Sequence, residues 1–155
     1  MIPFENILLA TDFSDNAKSA QKYACDFADQ FGARLHVLSV VQDAALILPE
    51  TGMFLTMPLP SIREIVEAAD ASLKRVLDPE WQASHDVCLK AAVGSPSAEI
   101  VQYATDNQID LIVLGTHGRT GLRHVLLGSV AERVLRSATC PVLTVRSETQ
   151  DDEVH

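Results

Sequence analysis

An α/β fold built on an open five-stranded parallel sheet, with helices on both faces, is what this sequence predicts. Two observations carry it. Five short, nearly continuous apolar runs fall at 6–11, 35–41, 86–93, 109–114 and 141–145, and runs of that length, rich in Val, Ile and Leu, suit strands buried on both faces. Between them, apolar residues recur at three- and four-residue steps, the period of a helix with one buried face. The order βαβαβαβαβ then demands parallel strands joined by right-handed crossovers.

Each element has its own signal. The run Asn6-Ile7-Leu8-Leu9-Ala10-Thr11 opens the sheet. Ala17, Ala20, Tyr23, Ala24, Phe27, Ala28 and Phe31 share one helical face, and Gly32 follows as a natural C-cap. The second run is Leu35-His36-Val37-Leu38-Ser39-Val40-Val41. Ser61-Ile62-Arg63-Glu64 reads as a capping box opening a helix that turns Ile65, Val66, Ala69, Leu73, Val76 and Leu77 inward. The run at 86–93 alternates more weakly. Ser95-Pro96 sets a cap and a first-turn proline ahead of Ile100, Val101 and Ala104. A fourth helix is expected from Ser129 to Ser137, before the last strand at 141–145.

At 155 residues and 47% hydrophobic, the chain suits one domain, 1–147, with an acidic tail at 148–155 expected to fray. The formal net charge of −9 argues against nucleic acid or an anionic membrane as a partner. The start, Met1-Ile2-Pro3-Phe4-Glu5, lacks the basic and apolar regions of a signal peptide. No apolar run reaches the roughly 18 residues of a membrane span. Cys25, Cys88 and Cys140 are odd in number and far apart, without C-x-x-C spacing, which suits reduced thiols. A cytoplasmic protein is expected. The connection at 42–60 is long and carries Leu46, Ile47, Leu48, Met53, Phe54, Leu55 and Met57. It suits a lid, a partner surface, or a segment tucked over a helix.

In an open parallel sheet, ligands bind beyond the carboxyl ends of the strands, where strand order reverses. The loops after strands one, two and four therefore matter most. After strand four, glycines fall as Gly115-x-x-Gly118, nine residues, then Gly128-Ser129 at the start of a helix. Glycine allows close backbone approach to a phosphate and positive φ angles. Amides of Gly128, Ser129 and Val130 at a helix N-terminus favour an anion. Charge placement agrees: residues 115–146 hold Arg119, Arg123, Arg133, Arg136 and Arg146 against Glu132 alone, an island of +4 within a net −9. Arg133 and Arg136 are expected only to solvate a helix face.

The spacing Gly115-x-x-Gly118-x9-Gly128-Ser129 resembles the nucleotide loop of ATP-binding universal stress proteins. The resemblance extends to Ile7-Leu8-Leu9-Ala10-Thr11-Asp12-Phe13-Ser14, Leu38-Ser39-Val40, Val93-Gly94-Ser95-Pro96 and Cys140-Pro141-Val142-Leu143-Thr144-Val145. It implies a Rossmann-like fold of the adenine nucleotide alpha hydrolase-like type, with ATP as ligand. It places Asp12 beside the nucleoside, with Ala10 and Thr11 on the same wall and Val40 at the adenine. Gly115, Thr116, His117, Gly118 and Arg119 would approach ribose and phosphates, and Gly128, Ser129 and Val130 would cradle the phosphates. Mg²⁺ or Mn²⁺ would come with the nucleotide, Asp12 reaching it indirectly. The last strand, Val142, Leu143, Thr144 and Val145, would pair across a homodimer, since a bare edge of β-branched residues invites pairing.

Plainer roles stand beside these. Asp12 could cap the first helix, His117 could be a solvated loop residue, and Ser129 could cap its own helix. No metal spacing links the remaining histidines. The P-loop lysine motif is missing, so binding is favoured over turnover, and the chain is read as a nucleotide-dependent regulator in the stress response. The rival readings are a slow ATP hydrolase on the same scaffold and a nucleotide-independent module that docks on a transporter or kinase through the 42–60 loop.

Overall fold

The computed structural model describes residues 2–42, 60–118 and 126–147. Along them run β1 (Asn6–Ala10), α1 (Asp15–Phe31), β2 (Arg34–Val41), α2 (Ile62–Val76), α3 (Pro79–Ser84), β3 (Val87–Val93), α4 (Pro96–Asp106), β4 (Leu111–Gly115), α5 (Ser129–Ser137) and β5 (Val142–Val145). The strands lie in the order β3-β2-β1-β4-β5, every neighbouring pair parallel. The chain steps outward from β1 to β3, then crosses back to β4 and β5, so the order reverses between β1 and β4. The acidic tail at 148–155 and residues 43–59 of the long connection lie outside the described residues.

Side chains alternate across each strand, and the sheet divides the core into two layers. Ile7, Leu9, Leu35, Val37, Leu111 and Val113 meet Ala20, Ala24 and Ala28 of α1 and Leu73 of α2. On the other face, Leu8, Leu38, Ile112 and Leu114 meet Ile100 and Ala104 of α4 and Ala131 and Val134 of α5. The alanine stripe of α1 has a physical reason: small side chains let the helix lie close over the central strands. Tyr23, expected on that stripe, sits at its flank and is 52% exposed.

Caps fix the helix ends. Gly32 ends α1 at φ 63°, the left-handed position glycine takes without strain, and its amide bonds to Ala28 O. Ser61 and Glu64 form the predicted capping box, each side chain bonded to the other's backbone. Asp110 accepts the amides of Glu5 and Asn6 at 2.8 Å each, fixing the start of β1 against that of β4.

The short helix α3 was not expected. Six residues are too few for periodicity to show, and its signals are Pro79 in the first turn and Asp78, which accepts from the amides of Glu80 and Trp81. It serves as a clamp. Trp81 stacks on His85 with ring centres 3.9 Å apart, and both rings bond to Asp29 near the end of α1.

All three cysteines are free. Burial, helped by the carboxylates of Asp29 and Asp26, pushes the Cys25 thiol up to about 11, so it stays protonated and inert at neutral pH. No helix among the described residues is long and apolar enough to cross a membrane.

Position in the sheet predicts the cost of truncation. Ile112, fully buried on central β4, is expected to lose about 2–5 kcal/mol on Ile112→Ala. Val93, 44% exposed at the end of edge strand β3, is expected to lose roughly 0.5 kcal/mol on Val93→Ala. Urea unfolding of the two variants measures both, and similar losses would contradict the layered core.

Candidate functional site

The chain beyond β1, the chain beyond β4 and the start of α5 converge at the carboxyl ends of the strands, and each is held by local hydrogen bonds. Beyond β1, Thr11 extends the ladder by donating its amide to Leu38 O at 2.9 Å. The chain then turns sharply. Thr11 Oγ1 accepts from Phe13 N at 3.1 Å and Asp12 Oδ1 from Ser14 N at 3.0 Å. Phe13 takes φ 63°, a conformation that costs a bulky residue on the order of 1–2 kcal/mol. Strain of this kind persists only where the surroundings hold it, and it gathers at functional turns.

Asp12 does not cap α1. Ser14 does, its Oγ accepting from Ala17 N at 3.3 Å. One Asp12 oxygen therefore holds the turn. The other, Oδ2, lies where a side chain on Gly118 would meet it, 3.1 Å from a Cβ built there.

Beyond β4, Thr116 donates its amide to Val145 O at 2.9 Å, so the ladder to β5 also continues one residue past the strand. The Thr116 hydroxyl is buried and lies 3.1 Å from His117 Nδ1. Its carbonyl accepts from Gly128 N at 2.6 Å, which pins the start of α5 against the end of β4. The glycines are required by this crowding. A Cβ on Gly128 would stand 3.0 Å from Thr116 O and 3.3 Å from His117 Cα. One on Gly115 would stand 3.1 Å from the Asn16 carbonyl oxygen at the start of α1. The expected positive φ is not the reason: among described glycines only Gly32 and Gly94 adopt it, and Gly128 sits at φ −69°.

Gly128 is the N-cap of α5 and brings no side chain to it, which moves Ser129 from the cap to the first helical position. The opening amides of α5, left without a side-chain cap, carry the positive end of the helix dipole. Glu132, in the same first turn, is paired with Arg136 at 2.8 Å on the exposed face. Arg133 is exposed beside them.

These segments surround one cavity of about 950 Å³, within the range of small-molecule sites. Ala10, Thr11, Asp12, Val40, Gly115, Thr116, His117, Gly118, Gly128, Ser129 and Val130 all line it. Arg119 lies outside the described residues. Sequence reasoning passed over other parts of the lining, among them Phe13, Ser39, Val41, Pro96, Ile100 and Leu114, with Ile65, Ala69 and Ser72 of α2. Strand alternation could have flagged Ser39, a buried polar residue on an apolar strand. The contribution of α2 carries no local signal, because it depends on where the helix crosses β2 and β3. No cluster of three His, Cys, Asp or Glu side chains able to hold a metal exists among the described residues. Asp12 and Glu132 are the lining carboxylates, a set that suits a divalent ion only when phosphates complete its shell.

The sequence model of the universal stress protein family matches residues 3–146. The chain belongs to the universal stress protein family. The universal stress protein MJ0531 of Methanocaldococcus jannaschii is 38% identical over 148 residues, 92% of this chain and 82% of that one. MJ0577 of the same organism is 32% identical over 157 residues, 94% of this chain and 96% of that one. The solved structure of MJ0577 superposes with a TM-score of 0.78 at 28% identity, covering 96% of this chain and 100% of that one. The universal stress protein UspA from Lactobacillus plantarum superposes at 0.71 and 27% identity, covering 94% and 100%. The parallel sheet and flanking helices of this universal stress protein are thus the fold of its solved relatives.

The closeness of Gly115 to α1 sets a stability test apart from any ligand. Gly115→Ala must displace the Asn16 backbone, and a loss of about 1–3 kcal/mol is expected, against about 1 kcal/mol for Ser14→Ala at the cap. Thermal melts of both variants without ligand measure the order, and an unperturbed Gly115→Ala would disprove the crowding.

Proposed function

We propose that this universal stress protein binds ATP in the cavity at the β1–β4 reversal and acts as a nucleotide-dependent regulator in the stress response. The observation that carries the reading is the start of α5. Its amides open without a side-chain cap onto the same cavity as Gly115, Gly118 and Asp12, and such a terminus is a ready anion site. The apolar wall formed by Val40, Pro96, Ile100 and Leu114 suits a flat base. Gly118 and Gly128 leave the backbone bare where phosphates would lie, and Thr116 and Ser129 bring hydroxyls. Universal stress proteins of this fold have been solved with cAMP and, from Archaeoglobus fulgidus, with dAMP, each 22% identical to this chain. At that distance they speak for the fold, and the case rests on this chain's residues.

The protein's part in this reading is binding and orientation. Asp12, fixed by its bond to Ser14 N, faces the nucleoside. A divalent ion, Mg²⁺ or Mn²⁺, would neutralise phosphate charge, with Asp12 acting on it indirectly. The protein works in the cytoplasm as a homodimer: β5 is an edge of the sheet, and Val142 to Val145 would pair with a second copy. Nucleotide then orders one state of the dimer, and a partner reads that state.

Protein purified without added nucleotide, denatured and analysed by chromatography, is expected to release ATP at one per chain. Gly118→Val is expected to abolish it, with the ligand-free fold retained by circular dichroism. Added ATP should raise the melting temperature of stripped protein, by mass action. Release of ADP would move the reading to slow hydrolysis. No nucleotide, together with no thermal shift, would overturn it in favour of a nucleotide-independent interaction module.

A further inference from the structure

At the opposite end of the sheet a chain of polar groups, centred on a buried histidine and otherwise half-buried, crosses three strands and a helix. His36 on β2 is 4% exposed. Its Nε2 faces Asn6 Oδ1 of β1 at 3.4 Å, and its Nδ1 faces the Tyr103 hydroxyl of α4 at 2.9 Å. The Tyr103 oxygen in turn lies 3.7 Å from Cys88 Sγ of β3. An amide oxygen accepts only, so Nε2 carries the proton and Nδ1 is left to accept from Tyr103. The neutral ring thereby completes the chain. None of these four residues lines the cavity, and no role described above uses them.

The chain is nevertheless tied to the cavity by the elements that carry it. His36, Leu38 and Val40 point to one face of β2, and Leu38 and Val40 line the cavity. Tyr103 stands one turn beyond Ile100 on α4, and Ile100 lines the cavity as well. We propose that the Asn6–His36–Tyr103–Cys88 chain is a proton-sensitive latch holding α4 to the sheet, and that protonating His36 releases α4 and opens the ligand cavity.

Protonation places a hydrogen on Nδ1, facing a hydroxyl that must then turn from donor to acceptor. The imidazolium has no carboxylate in bonding contact. The groups around the ring are Arg34 on its own strand, Asp86 just before β3 and paired with Arg34 at 3.1 Å, Cys88, and the Tyr103 phenol. Asp110, beyond Asn6, is engaged by backbone amides. Burial holds His36 below its ordinary range, with Arg34 adding to the effect and Asp86 opposing it. Opening α4 returns the ring to water and to a value near 6.5. The open form therefore takes up a proton as pH falls below about 6.5, and opening is favoured by up to about tenfold per pH unit until the folded value is reached.

The cavity's occupant rests on the ATP reading, whereas the latch can be tested without it. Amide hydrogen exchange of α4 in ligand-free protein is followed between about pH 7.5 and about pH 5, corrected for intrinsic rates. In the native sequence, protection across Ile100 to Ala104 is expected to fall by up to about tenfold per unit below about 6.5. His36→Gln should remove that fall. Tyr103→Phe removes the donor that favours the neutral ring in the closed form, so the fall should keep its onset near about 6.5 but level off about half a unit higher in pH. ATP affinity, measured in parallel, should weaken over the same range more in the native sequence than in His36→Gln, which cancels protonation of the nucleotide itself. Equal pH dependence of α4 exchange in native and His36→Gln proteins would overturn the latch, as would a fall that levels off at the same pH in Tyr103→Phe as in the native sequence. A working latch in a protein that never binds ATP would overturn the ligand reading alone.

Discussion

The cavity exists because β1 and β4 lie side by side. Their pairing, Ile7 opposite Leu111 through Leu9 opposite Val113, joins two strands about a hundred residues apart in the chain. Each then hands the backbone to a different crossover, one leading outward on either side. Neither loop can close over the other, and a gap remains above the seam. The interior of both strands is apolar and buried, so the seam cannot slip by one residue without exchanging the two core layers. Asp110 reinforces the register from below by taking both amides at the start of β1.

Above the seam, packing of backbone on backbone does what side chains do elsewhere. Gly115 admits the start of α1, Gly128 admits the end of β4, and Gly118 admits the carboxylate of Asp12. Three chain segments are thereby brought within hydrogen-bond range of one another. The strained turn at Phe13 belongs to the same arrangement, because two side-chain bonds from Thr11 and Asp12 hold it. Dipoles aimed into a small volume by backbone that cannot relax are a preorganised environment for charge.

Much of this was legible in the sequence. The strand runs, the alanine stripe of α1, the capping box at Ser61 and the glycine spacing each depend on neighbours a few residues away. What escaped notice depends on distance. Asp12 and Ser14 are both good cap residues, and only the three-dimensional turn decides that Ser14 takes α1. The lining from α2 follows from a crossing point that no local pattern encodes. Helix α3 is too short to show a period. For the glycines the sequence suggests close backbone approach and positive φ; Gly115, Gly118 and Gly128 do not use the second, and what the missing Cβ admits depends on which atoms pass nearby.

The clamp at α3 carries a practical consequence. The chain has a single tryptophan, and that indole is stacked face to face on His85 and bonded to Asp29, at the end of the sheet away from the cavity. Its emission is therefore a local gauge of the corner where α1 ends and β3 begins. A ligand filling the cavity would leave that light nearly unchanged, while fraying of the corner would alter it before the central strands part. In this molecule an optical signal from unfolding and one from occupancy are separate by construction.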